Sequence, residues 1–171
     1  MEQASRLLSH FSFFSFEPDF FQIKSARRRE LLQNWLDGLR QTAQVELYQS
    51  YPAQPGLDLM VWSSVEVGEP AAPARFFASF ARATTPFRSR IVPRQVSGGI
   101  SRSSQYTKTR SSQEIDPFSA DRKPYRVLSP FVKTTEWYLM SREARQGMMN
   151  EHIRIGKQYP QIEQLLLYST G

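Results

Sequence analysis

No cysteine occurs among the 171 residues. That single absence excludes disulfides, iron–sulfur clusters, thiolate zinc sites and a cysteine nucleophile together. It accords with a reducing compartment, and a cytoplasmic location is expected. A run of about 18 apolar residues is also missing, so no membrane-spanning helix is expected. The opening "MEQASRLLSHFSFFSFEPDF" lacks a basic n-region, and Ser, His and Glu interrupt its apolar residues. It is not read as a signal peptide. Histidine is scarce, with His10 and His152 the only two, so a metal site built from several imidazoles is unavailable.

What is present points to a folded, basic protein. Hydrophobic residues make up 40% and aromatics 13%, enough to build a core and to argue against global disorder. The net charge is +6, with Arg27, Arg28, Arg29, Arg75, Arg82, Arg88, Arg90, Arg94, Arg102, Lys108 and Arg110 among the positive residues. They are scattered and accompany no recognised nucleic-acid motif, so solvated faces are expected and no nucleic-acid partner. A basic surface also suits an anionic small molecule such as a polycarboxylate.

The chain alternates strand and helix patterns. Leu7 to Phe16 reads as a strand stopped by Glu17-Pro18. Asp19 can cap a helix to about Thr42, whose Ile23, Leu31, Leu32, Trp35, Leu36 and Leu39 recur at three- and four-residue steps. Val45 to Tyr51 is a second strand, "PAQPG" a turn, and Leu57 to Val67 a third strand. Glu69-Pro70 opens a helix, "AAPARFFASFARAT", carrying Phe76, Phe77 and Phe80, and Arg94 to Tyr106 can be a fourth strand. This order, βαββαβ, is the split βαβ, ferredoxin-like arrangement of an α+β domain with both helices on one face. It is placed over residues 1–110.

The polar "TKTRSSQEIDPFSADRKP", residues 107–124, reads as a linker. Tyr125 to Lys133 then reads as a strand, Ser141 to Lys157 as a helix capped by Ser141, and Ile162 to Tyr168 as a strand. Residues 125–171 thus repeat the first half of the same unit. A βαβ fragment leaves a sheet edge and a helix face uncovered. Either another chain completes it or further sequence after Gly171 is expected.

The second half holds the chemistry. His152 lies on a helix whose face also carries Met148, Met149, Ile155 and Tyr159. One reading is a core histidine with a hydrogen bond. The other is an imidazole facing a flat apolar group. Gly156, one turn further on, removes a side chain where something can approach closely. Lys133, the one cation in "SPFVKTTEW", can meet a carboxylate at a pocket mouth. If His152 binds a metal, a cofactor must supply most of the ligands, which points to haem with one axial imidazole.

The stretch "PFVKTTEWYLMSREARQGMMNEHIRIGKQYP", with the later "LLLYSTG", resembles the haem-binding half of the chlorite dismutase superfamily. The first domain is similar mainly through its βαββαβ order and "RSSQY". The resemblance implies two ferredoxin-like domains in one subunit, the second incomplete here, and homo-oligomeric rings of five. It also implies a haem b or coprohaem cofactor with iron. By the same resemblance, His152 corresponds to the proximal iron ligand and Lys133 to the basic residue that holds a propionate. Trp137 and Tyr138 correspond to the aromatic pair at the haem pocket, with Met149 and Gly156 on the haem-facing helix. Gln164 corresponds to the distal position if one gap is allowed between Tyr159 and Ile162. The implied activity is peroxide-dependent coprohaem decarboxylation in haem biosynthesis, with hydrogen peroxide as oxidant and Gln164 and Lys133 in the catalytic roles. The alternatives are a chlorite dismutase or general haem peroxidase, and a non-catalytic haem-binding or scaffold protein.

Two departures bear on the activity. Chlorite dismutases place an arginine at the distal position, and no arginine follows Arg154 here. Decarboxylases place a tyrosine that forms a radical just before the proline, where this chain has Ser129.

Overall fold

The computed structural model describes residues 6–102, 104–106, 111–119, 121 and 123–169. Lys108, Arg110 and part of the expected linker lie outside these residues. The chain divides into two compact units, one of residues 1–102 with 167–171 and one of residues 103–166.

The first unit is an antiparallel sheet with helices on one face. Its elements are β1 (Leu7–Phe16), α1 (Pro18–Gln22), α2 (Ser25–Arg40), β2 (Gln44–Gln49), β3 (Leu59–Glu66), α3 (Ala72–Thr84) and β4 (Ile91–Ser101). The second unit contributes α4 (Thr135–Leu139) and α5 (Arg142–Gly156), and β5 (Leu167–Ser169) closes the chain. The strand order is β2-β3-β1-β4-β5, with every adjacent pair antiparallel. The first four strands have the ferredoxin-like arrangement anticipated from the βαββαβ order.

The centre of the sheet is β1, and most of its residues are buried, which is why it reads as a dense apolar run rather than a clean alternation. Its even-numbered residues face the helices. Phe14 meets Trp35 of α2 edge-on with ring centroids 4.9 Å apart. Phe14, Trp35, Leu39, Val61 and Ile91 are wholly buried and form the core. Each such side chain contributes about 1.5–3 kcal/mol on burial. Between Phe13 and Phe14 the pairing with β4 shifts register, from Phe13 opposite Gln95 to Phe14 opposite Pro93. Arg94 is the extra residue. Such a bulge re-aims a side chain, and Arg94 donates to Ser15 Oγ and Glu17, each at 2.6 Å.

Several expected boundaries move. The helix expected from Asp19 to Thr42 is two helices, and Lys24, not Asp19, stands at the start of the longer one without a side-chain cap. β4 begins at Ile91 and ends at Ser101, so Tyr106 belongs to the second unit. Tyr125 to Lys133 is not a strand: through Thr134 the chain is irregular, with Tyr125 87% and Val132 91% exposed. Apolar alternation yields a strand only where a neighbouring backbone completes its hydrogen bonds. Of Ile162 to Tyr168 only Leu167 and Tyr168 are in a strand, which pairs with β4 through Ile100 opposite Tyr168.

The second unit is built around α5. Ser141 Oγ accepts from the Ala144 N–H at 3.1 Å, as expected of an N-cap. The stretch expected to be a linker holds buried Ile115 and Pro117. Glu114 makes an isolated parallel bridge with Gln164. Among the described residues no helix is long and apolar enough to cross a membrane.

Candidate functional site

The two histidines have opposite environments. His10 on β1 is buried and ringed edge-on by Phe76, Phe77 and Phe80 of α3, at centroid distances of 5.6, 5.3 and 5.0 Å. Its Nδ1 lies 3.0 Å from Ser12 Oγ. Burial pushes its pKa down to about 4, so it is neutral at pH 7. The core histidine of this chain is His10.

His152 is exposed on α5. Three- and four-residue steps place Met148 and Ile155 beside it, and these are 54% and 45% exposed. Met149 and Gly156 are half-buried. Tyr159, expected on the same helical face, lies beyond the helix end at Gly156. A Cβ built on Gly156 meets nothing within 4 Å, so no neighbour among the described residues requires glycine there. An exposed imidazole set among exposed methionine and isoleucine is a surface that an apolar group with a metal at its centre would cover. Among the described residues no group of three or more His, Cys, Asp or Glu could hold a metal ion. A single exposed imidazole can supply one ligand to a metal that arrives with its others, as in haem.

Lys133 is half-buried. Its Nζ lies 4.5 Å from the Trp137 ring centroid and 5.5 Å from that of Tyr106, and the two rings meet edge-on at 6.3 Å. The arrangement holds an ammonium by cation–π attraction while leaving its N–H groups able to reach an anion. Tyr138 is 65% exposed, and Ser129 is exposed. Gln164 is held through its backbone, its N–H donating to Gln113 O at 2.8 Å and its carbonyl accepting from Ile115 N at 3.1 Å.

The structure thus joins Lys133 to Trp137, and sets His152, Met149 and Gly156 on one helix. Among the described residues no hydrogen bond or ring contact joins His152 to Lys133 or to Gln164. Two participants escaped the sequence reading of the site. Tyr106 reads as the end of a strand, and Gln113 lies in a stretch whose polarity reads as linker.

A family model described as chlorite dismutase matches residues 19–171. Comparison with curated proteins gives no match. Solved structures of chlorite dismutase from Candidatus Nitrospira defluvii have a similar fold. A mutant with lysine in place of an arginine is 18% identical, covering 99% of this chain and 73% of that one, with a TM-score of 0.69. The complex with imidazole is 18% identical over 100% of this chain and 73% of that one, with a TM-score of 0.67. A mutant with glutamate in place of an arginine is 16% identical, covering 90% and 66%, with a TM-score of 0.63. The chain therefore spans about two thirds to three quarters of the length of these proteins.

Proposed function

Because this chain belongs to the chlorite dismutase family, we propose that it binds haem b or coprohaem, with His152 supplying the axial imidazole. The observation that carries this reading is the contrast between the histidines: one is buried and neutral among phenylalanines, the other is exposed on an apolar helix face. Trp137, Tyr138, Met149 and Gly156 would border the macrocycle. Lys133 would orient a propionate through a charge-assisted hydrogen bond. Gln164 would stand on the distal side, offering an amide to the oxidant.

The activity that this set favours is peroxide-dependent decarboxylation of coprohaem. Converting a propionate to a vinyl group releases carbon dioxide and a proton and removes two electrons, which hydrogen peroxide accepts on reduction to water. The bound iron porphyrin supplies the redox chemistry and is itself the substrate. The chain's own residues bind and orient it: Lys133 holds the carboxylate, and the apolar wall of α5 keeps water from the ring. A basic net charge of +6 suits a ligand with four carboxylates. A cytoplasmic location and a homo-oligomeric ring belong to the same proposal.

One observation favours a second reading, haem binding without turnover. Ser129 bears no phenol, and Tyr125, four residues earlier, is 87% exposed. Chlorite dismutation is disfavoured, because a distal amide lacks the charge that steers an oxyanion. Reconstitution with haem b and with coprohaem tests the proposal. A Soret band is expected from the native protein and its loss or strong weakening from His152→Ala. An unchanged spectrum and affinity in that variant would remove His152 from the iron.

A further inference from the structure

We propose that Gln113 is a positioning residue, a brace that ties the exit of α5 to the segment carrying Gln164 and so sets where Gln164 stands relative to His152. The brace rests on geometry alone, and its consequence for a ligand rests on the haem-binding reading above.

One residue makes both attachments. The Gln113 side-chain Nε2 donates to the carbonyls of Tyr159 and Ile162, each at 2.9 Å, with the Gly156 carbonyl further off at 3.4 Å. An amide nitrogen has two hydrogens, and the two short contacts account for them. The Gln113 main-chain carbonyl accepts from the Gln164 N–H at 2.8 Å, and two residues on, Ile115 N–H donates to the Gln164 carbonyl at 3.1 Å. Side chain and main chain thus hold successive parts of the same excursion, residues 156–164.

Besides Gln113, the excursion is tied to the rest of its unit by the ion pair of Glu163 with Lys123 at 3.1 Å. After the last turn of α5 its backbone bonds are short-range, Tyr159 N to Gly156 O and Ile162 N to Tyr159 O. Pro160 has no N–H to offer. The carbonyls of Gly156 and Tyr159 accept from the N–H groups of Tyr159 and Ile162, and each keeps a second lone pair open to donors from elsewhere. Residue 113 provides them from a stretch distant in sequence. Because three carbonyl oxygens surround Nε2, the position demands a donor, not merely a polar group. Gln113→Glu preserves shape but presents a carboxylate to those oxygens, whereas Gln113→Lys presents an ammonium with three N–H groups. Displacement of a reacting or orienting group by about 1 Å can lower a rate by about a hundredfold, which is why a brace here bears on the site.

The test uses hydrogen exchange on the full chain without added ligand, comparing native protein with Gln113→Glu, Gln113→Ala and Gln113→Lys. The Gln164 amide is expected to exchange at least about tenfold faster in the Glu and Ala variants at pH 7, with β1 amides as internal controls. The Lys variant is expected to stay near the native rate. An unchanged Gln164 rate in the Glu and Ala variants overturns the brace, as does a Lys variant as fast as the Glu variant. The haem-loaded proteins supply the second readout. The Glu variant is expected to bind cyanide at the iron at least about threefold more weakly than the native protein, with restoration in the Lys variant. Equal cyanide affinity overturns the positioning role. Failure of the native protein to take up haem would count against the haem-binding reading alone, since the exchange experiment decides the brace independently.

Discussion

The Lys133 ammonium lies 4.5 Å from the centroid of the Trp137 ring, four residues ahead of it in sequence. The cation that would meet a carboxylate is therefore oriented by an indole before any ligand arrives. Such a contact contributes about 0.5–1 kcal/mol at an exposed site. Trp137→Leu is expected to weaken coprohaem binding about two- to fivefold by loosening Lys133. Lys133→Met, which removes the charge, is expected to cost about tenfold or more. Both losses should be smaller for haem b, which carries two carboxylates in place of four. Absorbance titrations with the two porphyrins measure this.

Decarboxylation should be slow in the native chain. The residue beside the propionate has to be oxidisable, and the Ser129 hydroxyl, unlike a phenol, is not conjugated to a ring. Ser129→Tyr is expected to raise the rate of carboxylate loss on peroxide addition, read by mass spectrometry of the extracted porphyrin. Fast turnover by the native chain would transfer the role to another tyrosine, with Tyr125 the first to test. No oxygen release is expected from chlorite.

Acid should destabilise the fold through His10. Its pKa is about 4 when folded, against an ordinary value of 6.5, so between those values the unfolded chain binds more protons. The stabilisation is complete above pH 6.5, falls as pH drops toward 4 and is then fully lost. The drop from 6.5 to about 4 corresponds to about 3 kcal/mol, of which about 2 kcal/mol is lost by pH 5. Urea midpoints between pH 7.5 and 4 measure the slope. His10→Asn should flatten it while lowering stability at pH 7, because the ring's packing against three phenylalanines is gone.

Gly99 should tolerate no side chain. A Cβ there would lie 2.5 Å from the Tyr168 carbonyl oxygen and 2.8 Å from its carbonyl carbon. Gly99→Ala is expected to cost about 1–3 kcal/mol, or to be relieved by detaching β5. Detachment would appear as faster amide exchange at residues 167–169 with little change in β1. Native-like protection in β5 would show that the strands can separate slightly at no cost.

Local rules carried the first hundred residues. The dense Phe and Leu of β1, the three- and four-residue steps of α2 and the Phe76, Phe77 and Phe80 stripe of α3 each mark an element by its own pattern, although β1 finds β3, α3 and β4 far along the chain. For such elements the pattern of the segment itself shows which face is apolar, whatever covers it. The Ser141 cap is equally local, since its acceptor and donor are three residues apart. The family resemblance was legible for a related reason: residues 130–160 form one ordered motif in a single stretch.

What tertiary structure alone decided involves partners far apart in sequence. Tyr125 to Lys133 has a strand's composition but pairs with no strand among the described residues, and Ile162 to Tyr168 delivers only its end to a sheet, that of the first unit. The polar stretch around Gln113 reads as linker because hydrogen-bond donors look alike whether they face water or a helix exit 43 to 49 residues away. Composition likewise ranks His10 and His152 as equivalent imidazoles. Only burial separates them, making one a neutral core residue because desolvation penalises its charge, and leaving the other exposed on its helix.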